Sequence, residues 1–121
     1  MKRFTILAAM GGALALAAAS PVLAHAKLVS STPAANATLS ASPRTITLRF
    51  NERVVPAFSK IELTMPAHSM NIPVTTAVSR DGKRMVGTLR SRLMKGSYWI
   101  VWTAAGPDGH RMTGEVAFKV A

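Results

Sequence analysis

The chain contains no cysteine. That excludes disulfide staples and thiolate metal sites alike, so an exported domain with this sequence has to be held by its core alone. Acidic residues are nearly as scarce, with 5 Asp and Glu against 15 Lys and Arg. Three of the five have a structural explanation in the sequence: Glu62 alternates away from an apolar face, Asp81 belongs to a turn, and Glu115 opens a strand. Glu52 and Asp108 are left. No helical period, internal repeat or low-complexity segment is visible beyond the amino terminus, and no G-x-S-x-G elbow marks a serine as a hydrolytic nucleophile. The basic residues are scattered singly rather than grouped into a stripe. They read as a solvated surface with a minor attraction to anionic partners, and nucleic acid is not expected of an exported chain.

The amino terminus is a targeting segment. Lys2 and Arg3 form a positive start, Phe4 to Ala19 is an apolar Ala/Leu/Gly-rich run, and Ser20-Pro21-Val22-Leu23-Ala24 supplies a breaker and small residues. The run is shorter than the roughly 20 residues of a spanning helix, so cleavage is expected rather than anchoring. Val22-x-Ala24 places the cut before His25, while Ala24-x-Ala26 would place it before Lys27. The first is preferred, giving a leader of residues 1–24 and a domain of residues 25–121. Taking 24 from 121 residues leaves 97, enough for one small core. Lys2 and Arg3 leave with the leader, so 13 basic and 5 acidic residues give the mature chain a charge of +8.

Seven stretches alternate like strands: 27–31, 45–50, 60–65, 74–78, 84–89, 97–103 and 114–120. In the sixth, Tyr98, Ile100 and Trp102 face one way and Trp99 and Val101 the other. Residues 33–43 and the proline-bracketed 66–73 read as loops, and Asp81-Gly82 as a hairpin turn. Seven short strands at near-regular spacing predict an all-β, single-domain antiparallel sandwich or Greek-key β-barrel, Ig-like in kind.

Chemistry is concentrated in Pro107-Asp108-Gly109-His110, between the last two strands. Pro and Gly turn the backbone there and present a carboxylate and an imidazole together, fit for a metal, a proton transfer or a surface hydrogen bond. A second donor group stands at the other end of the chain. Cleavage before His25 would expose an α-amine beside ring Nδ1, which together close one chelate ring. Adding Asp108 and His110 makes a nitrogen/oxygen set with room for a planar arrangement, the preference of copper(II); zinc would seek a tetrahedral set.

Several blocks in order resemble the CopC family of exported copper-binding proteins. They are His25-Ala-Lys-Leu-Val-Ser-Ser-Thr-Pro33, Ile46-Thr-Leu-Arg-Phe-Asn-Glu52, Phe58-Ser59, Gly96-Ser-Tyr-Trp-Ile-Val-Trp102, Asp108-Gly-His110 and Thr113-Gly-Glu-Val-Ala-Phe118. The resemblance implies a Greek-key barrel with a copper(II) site made by His25, Asp108 and His110, with Glu52 as a weak or outer-shell group. Some family members also carry a Met-rich copper(I) loop, and Met65, His68 and Met70 fall where that loop would be. Thioethers suit copper(I), although Met65 equally fits a core position at a strand end.

The expected function is therefore binding: a periplasmic copper carrier or store, monomeric, serving copper homeostasis and resistance. The resemblance adds an inner-membrane copper permease as partner. The competing reading is a histidine-brace oxidative enzyme. That chemistry needs an open coordination position, which Asp108 would fill, and a surface for a polymer that so small a domain lacks.

Overall fold

The computed structural model describes residues 26–121. Nine strands follow in order: β1 (Leu28–Thr32), β2 (Ala37–Leu39), β3 (Thr45–Phe50), β4 (Lys60–Met65), β5 (Met70–Ile72), β6 (Val74–Val78), β7 (Arg84–Leu89), β8 (Gly96–Ala105) and β9 (Arg111–Val120). They form a four-stranded sheet ordered β1-β3-β7-β6 and a five-stranded sheet ordered β2-β9-β8-β4-β5. The two sheets stack as a sandwich and do not close into a barrel.

Period-two alternation builds the core. Ile46, Leu48, Phe50 and Met85 point inward from the first sheet; Ile61, Leu63, Tyr98, Ile100, Trp102, Val116 and Phe118 answer from the second. The expected face of β8 is the buried one, with Trp102 only 6% exposed, while Trp99 is 38% exposed on the outer side. One aromatic contact joins these layers, and a second lies within the five-stranded sheet. Phe50 meets Trp102 edge to face at 5.1 Å, and Tyr98 stacks on Phe118 at 5.4 Å.

All seven expected strands are present, and two more lie in stretches read as loops. β2 and β5 are three residues each, too short for alternation to register. The expectation of a purely antiparallel fold is also corrected, since β2 runs parallel to β9, Ala37 opposite Phe118. β8 and β9 extend further than the alternation suggested and pair continuously from Gly96–Val120 to Ala105–Arg111. The loop carrying Asp108 and His110 is thereby shortened to residues 106–110.

Trp102 faces Gly114 across the β8–β9 pair. A Cβ on Gly114 would lie 2.6 Å from Trp102 Cε2 and 2.8 Å from Nε1, so a hydrogen at this position is what lets the indole lie flat on β9. Trp102 Nε1 is buried with no hydrogen-bond partner among the described residues.

Candidate metal centre

The ends of β3 and β8 and the start of β9 meet at one pole of the sandwich. A short 3-10 turn, Pro56–Phe58, follows β3 there. The Val55 N–H donates to Ala105 O at 2.7 Å. Ser59, 8% exposed, donates its hydroxyl to Val55 O at 2.7 Å and accepts from the Ala105 N–H at 3.3 Å. One hydroxyl thus locks the turn to the strand that leads into the 106–110 loop.

That loop is closed by its own backbone. The Gly106 N–H donates to His110 O at 3.2 Å and the Gly109 N–H to Gly106 O at 2.9 Å. Gly109 has φ +87°, left-handed backbone that an L side chain rarely adopts. The result is a tight platform for two side chains. Asp108 Oδ1 accepts from the His110 N–H at 3.1 Å, and Oδ2 lies 2.8 Å from His110 Nδ1. With Nδ1 donating to the carboxylate, Nε2 keeps the lone pair a metal requires. Both residues are exposed, so an ion reaches them from solvent.

The start of the described chain is anchored at the same pole. Ala26 is buried in the core at 2% exposure. The Lys27 N–H donates to Asn51 Oδ1 at 2.6 Å, and the Asn51 N–H returns a bond to Lys27 O at 3.1 Å. Asn51 directly follows β3, so this clamp ties the chain start to the strand end that carries Glu52. Glu52 is half-buried beside it. His25 lies outside the described residues. Among those described, no three His, Asp or Glu side chains come together as a metal group, so Glu52 does not complete one with Asp108 and His110.

Met65, His68 and Met70 belong to the β4–β5 hairpin. Met65 stands opposite Met70 in the register, with His68 in the 3-10 turn Pro66–His68 between them. The Met65 side chain is 2% exposed, its methyl against Gly96, whereas His68 and Met70 are exposed. Gly96 begins β8, so this hairpin belongs to the end of the sandwich away from the Asp108–His110 loop.

Two positioning residues were not singled out by sequence reasoning: Asn51, whose side chain holds Lys27, and Ser59. Both stand in the blocks quoted above, but nothing local distinguishes an amide or hydroxyl that bonds across the fold from one that faces water.

The CopC domain model matches residues 28–121. Copper resistance protein C of Xanthomonas campestris pv. juglandis is 40% identical over 114 residues, covering 89% of this chain and 88% of the relative. Among solved structures, that of PcoC, a methionine-rich copper resistance protein from Escherichia coli, superposes with a TM-score of 0.74 at 37% identity. It covers 81% of this chain and 100% of PcoC. A more distant match, 30% identical, lies in copper transport protein CutJ of Bacillus subtilis; it spans 80% of this chain but only 18% of that longer protein. Matched nearly end to end in sequence and in fold, the chain belongs to the CopC family of copper-binding, copper-resistance proteins.

Proposed function

We propose that this chain is exported to the periplasm, loses residues 1–24, and there carries or stores copper(II) at a site made by His25, Asp108 and His110. The observation that carries this reading is the convergence at one pole. The Asp108–His110 pair offers two donors, and the Asn51 clamp holds Lys27, two residues after His25, at the same end of the molecule. Asp108 is the group best suited to both orienting the His110 ring and sharing the ion. Glu52 remains an outer group.

A reading as a binding protein, not an enzyme, follows from the family and from a ligand set that fills the copper plane. Hand-off to a membrane permease is supported by the CutJ match, in which a module of this kind is joined to a much longer copper transport protein. The working unit is taken to be a monomer. A second reading, copper(I) binding at Met65, His68 and Met70, rests on the exposed His68 and Met70. Met65 stands opposite Met70 in the register but is buried in the core, so it would have to turn outward to join them.

The test of the main site is chemical. Acetylating the His25 amine, or extending the chain by one residue before it, should abolish tight copper(II) binding while leaving the fold intact. Unchanged affinity would refute the chelate. Intact mass of the exported protein, with and without copper, reports cleavage and stoichiometry together. For the hairpin, a titration under reducing conditions should add one copper(I), lost in the Met65→Leu/Met70→Leu double variant.

A further inference from the structure

The arginines that look solitary in the sequence are gathered by the fold. Arg44 immediately precedes β3, and Arg90 and Arg92 follow β7. The β3–β7 register sets Thr45 opposite Thr88, and the Leu89 N–H donates to Arg44 O at 3.0 Å. The Leu93 N–H donates to Ser42 Oγ at 2.8 Å, which fastens the 90–93 loop against the segment leading into β3. Between these two segments opens a cleft of about 630 Å³, lined by Ser42, Arg44, Thr88, Arg90 and Arg92 among others. It lies at the opposite pole from the Asp108–His110 loop.

No acid balances this cleft. Glu52 and Asp108 belong to the other pole, as does Asp81, whose neighbour Gly82 accepts from the Val54 N–H. Glu62 and Glu115 lie mid-sheet, each opposite Val101. Among the described residues the three guanidinium groups have no ion pair or hydrogen bond. A second basic groove, formed by Arg49, Lys83 and Arg84, differs in having Asp81 on its wall as a built-in counter-charge.

We propose that this pole is a docking surface for an anionic phospholipid membrane, with Arg44, Arg90 and Arg92 receiving the headgroup phosphate. Arginine's planar fork matches phosphate oxygens bidentately, and three forks around one cleft give that anion what water gives it elsewhere. The loop beyond the cleft supplies the apolar half of the contact. Met94 is 57% exposed, and it is flanked by Arg92 and the exposed Lys95. Its exposure is not fraying, because Tyr98 donates its hydroxyl to Met94 O at 2.5 Å and pins the loop. Cations level with the headgroups and a short apolar side chain below them are the elements of peripheral membrane binding. A free phosphate ion would make no use of Met94 or Lys95.

The test uses residues 25–121 and flotation with vesicles of phosphatidylglycerol mixed with phosphatidylcholine, against phosphatidylcholine alone. Only the anionic vesicles should bind, and binding should weaken with salt. The Arg44→Gln/Arg90→Gln/Arg92→Gln variant should lose roughly 100-fold in partitioning, at about fivefold per cation. Arg49→Gln/Lys83→Gln/Arg84→Gln removes the same charge from the acid-walled groove and should retain most binding. Both triple variants change exposed residues, and unchanged melting and copper titration will show the fold intact. Equal losses in the two triples would reduce the effect to net charge and overturn the proposal. So would failure to bind anionic vesicles, or NMR shifts at the cleft with inorganic phosphate but no vesicle binding. The proposal does not depend on the copper site, whose own test can fail without touching it.

Discussion

Replacing Gly114 by Ala should destabilise the domain by about 1–3 kcal/mol, the usual cost of adding a methyl group to a filled site. The added Cβ would meet Trp102 at Cζ2, at Cε2 (2.6 Å) and at Nε1 (2.8 Å), well inside contact distance. None of these atoms is the tip of a flexible chain. The indole is buried and Phe50 stands against it edge to face at 5.1 Å with an interplanar angle of 76°, so relief on one side means a clash on the other. For a domain of this size the loss corresponds to a fall in Tm of about 5–20 °C. Urea unfolding followed by far-UV circular dichroism measures it, and the m-value should not change if only packing is affected. The sharper test is a double-mutant cycle. Phenylalanine lacks the indole's second ring, so Trp102→Phe should relieve the clash and give a coupling of about 1–2 kcal/mol with Gly114→Ala, within the range for residues in contact. Since Nε1 has no partner among the described residues, Trp102→Phe breaks no hydrogen bond there. Strict additivity, or a Gly114→Ala protein as stable as the parent, would refute the packing argument.

Asn51→Ala should remove the bond to the Lys27 N–H, at a cost of about 0.5–1.5 kcal/mol, and weaken copper(II) binding by loosening the chain start; an unchanged copper titration would separate this clamp from the site. Asp81 accepts from the Ser79 hydroxyl, the main cause, and from the Lys83 N–H, which together hold its carboxyl below the ordinary 3.8. Its stabilisation is complete above that value and is lost as pH falls through the lower folded value. Asp81→Asn should therefore flatten the acid limb of the stability curve and leave it parallel to the parent's near neutrality. Asp108→Asn should cost at least roughly 10- to 100-fold in copper(II) affinity, the usual effect of losing a ligand's orienting partner, since it also removes an anionic ligand; competition titration measures it.

The strands that build the core were legible because each sets one apolar face against the other sheet, which stamps a period of two on the sequence. Trp102 and Trp99 could be told apart on that basis alone. β2 and β5 escaped because three edge residues leave no period; their pairing depends on partners elsewhere in the chain. The Asp108–His110 loop was legible from its Pro-Gly punctuation, but not the bond between its two side chains. Asn51 and the Arg44–Arg90–Arg92 cleft were invisible for a shared reason. Each is produced by register, in one case between Leu28 opposite Phe50 and in the other between Thr45 opposite Thr88, and register is not written in either strand by itself.

The parallel pairing of β2 with β9 has a consequence for the order in which the molecule can form. Ala37 opposite Phe118 joins segments from nearly the two ends of the domain, and the Ala121 N–H adds a bond back to Leu39 O. The five-stranded sheet cannot be completed until β9 is available, and closing so long a loop sets a slow, late step. β9 is also the strand through which β2 reaches β8, so a nascent chain lacking its final ten residues holds neither β8's full pairing nor the last wall of the core. A chain synthesised from its amino terminus thus leaves this sheet open, with the apolar faces of β2 and β8 uncovered at that edge, until β9 has been made.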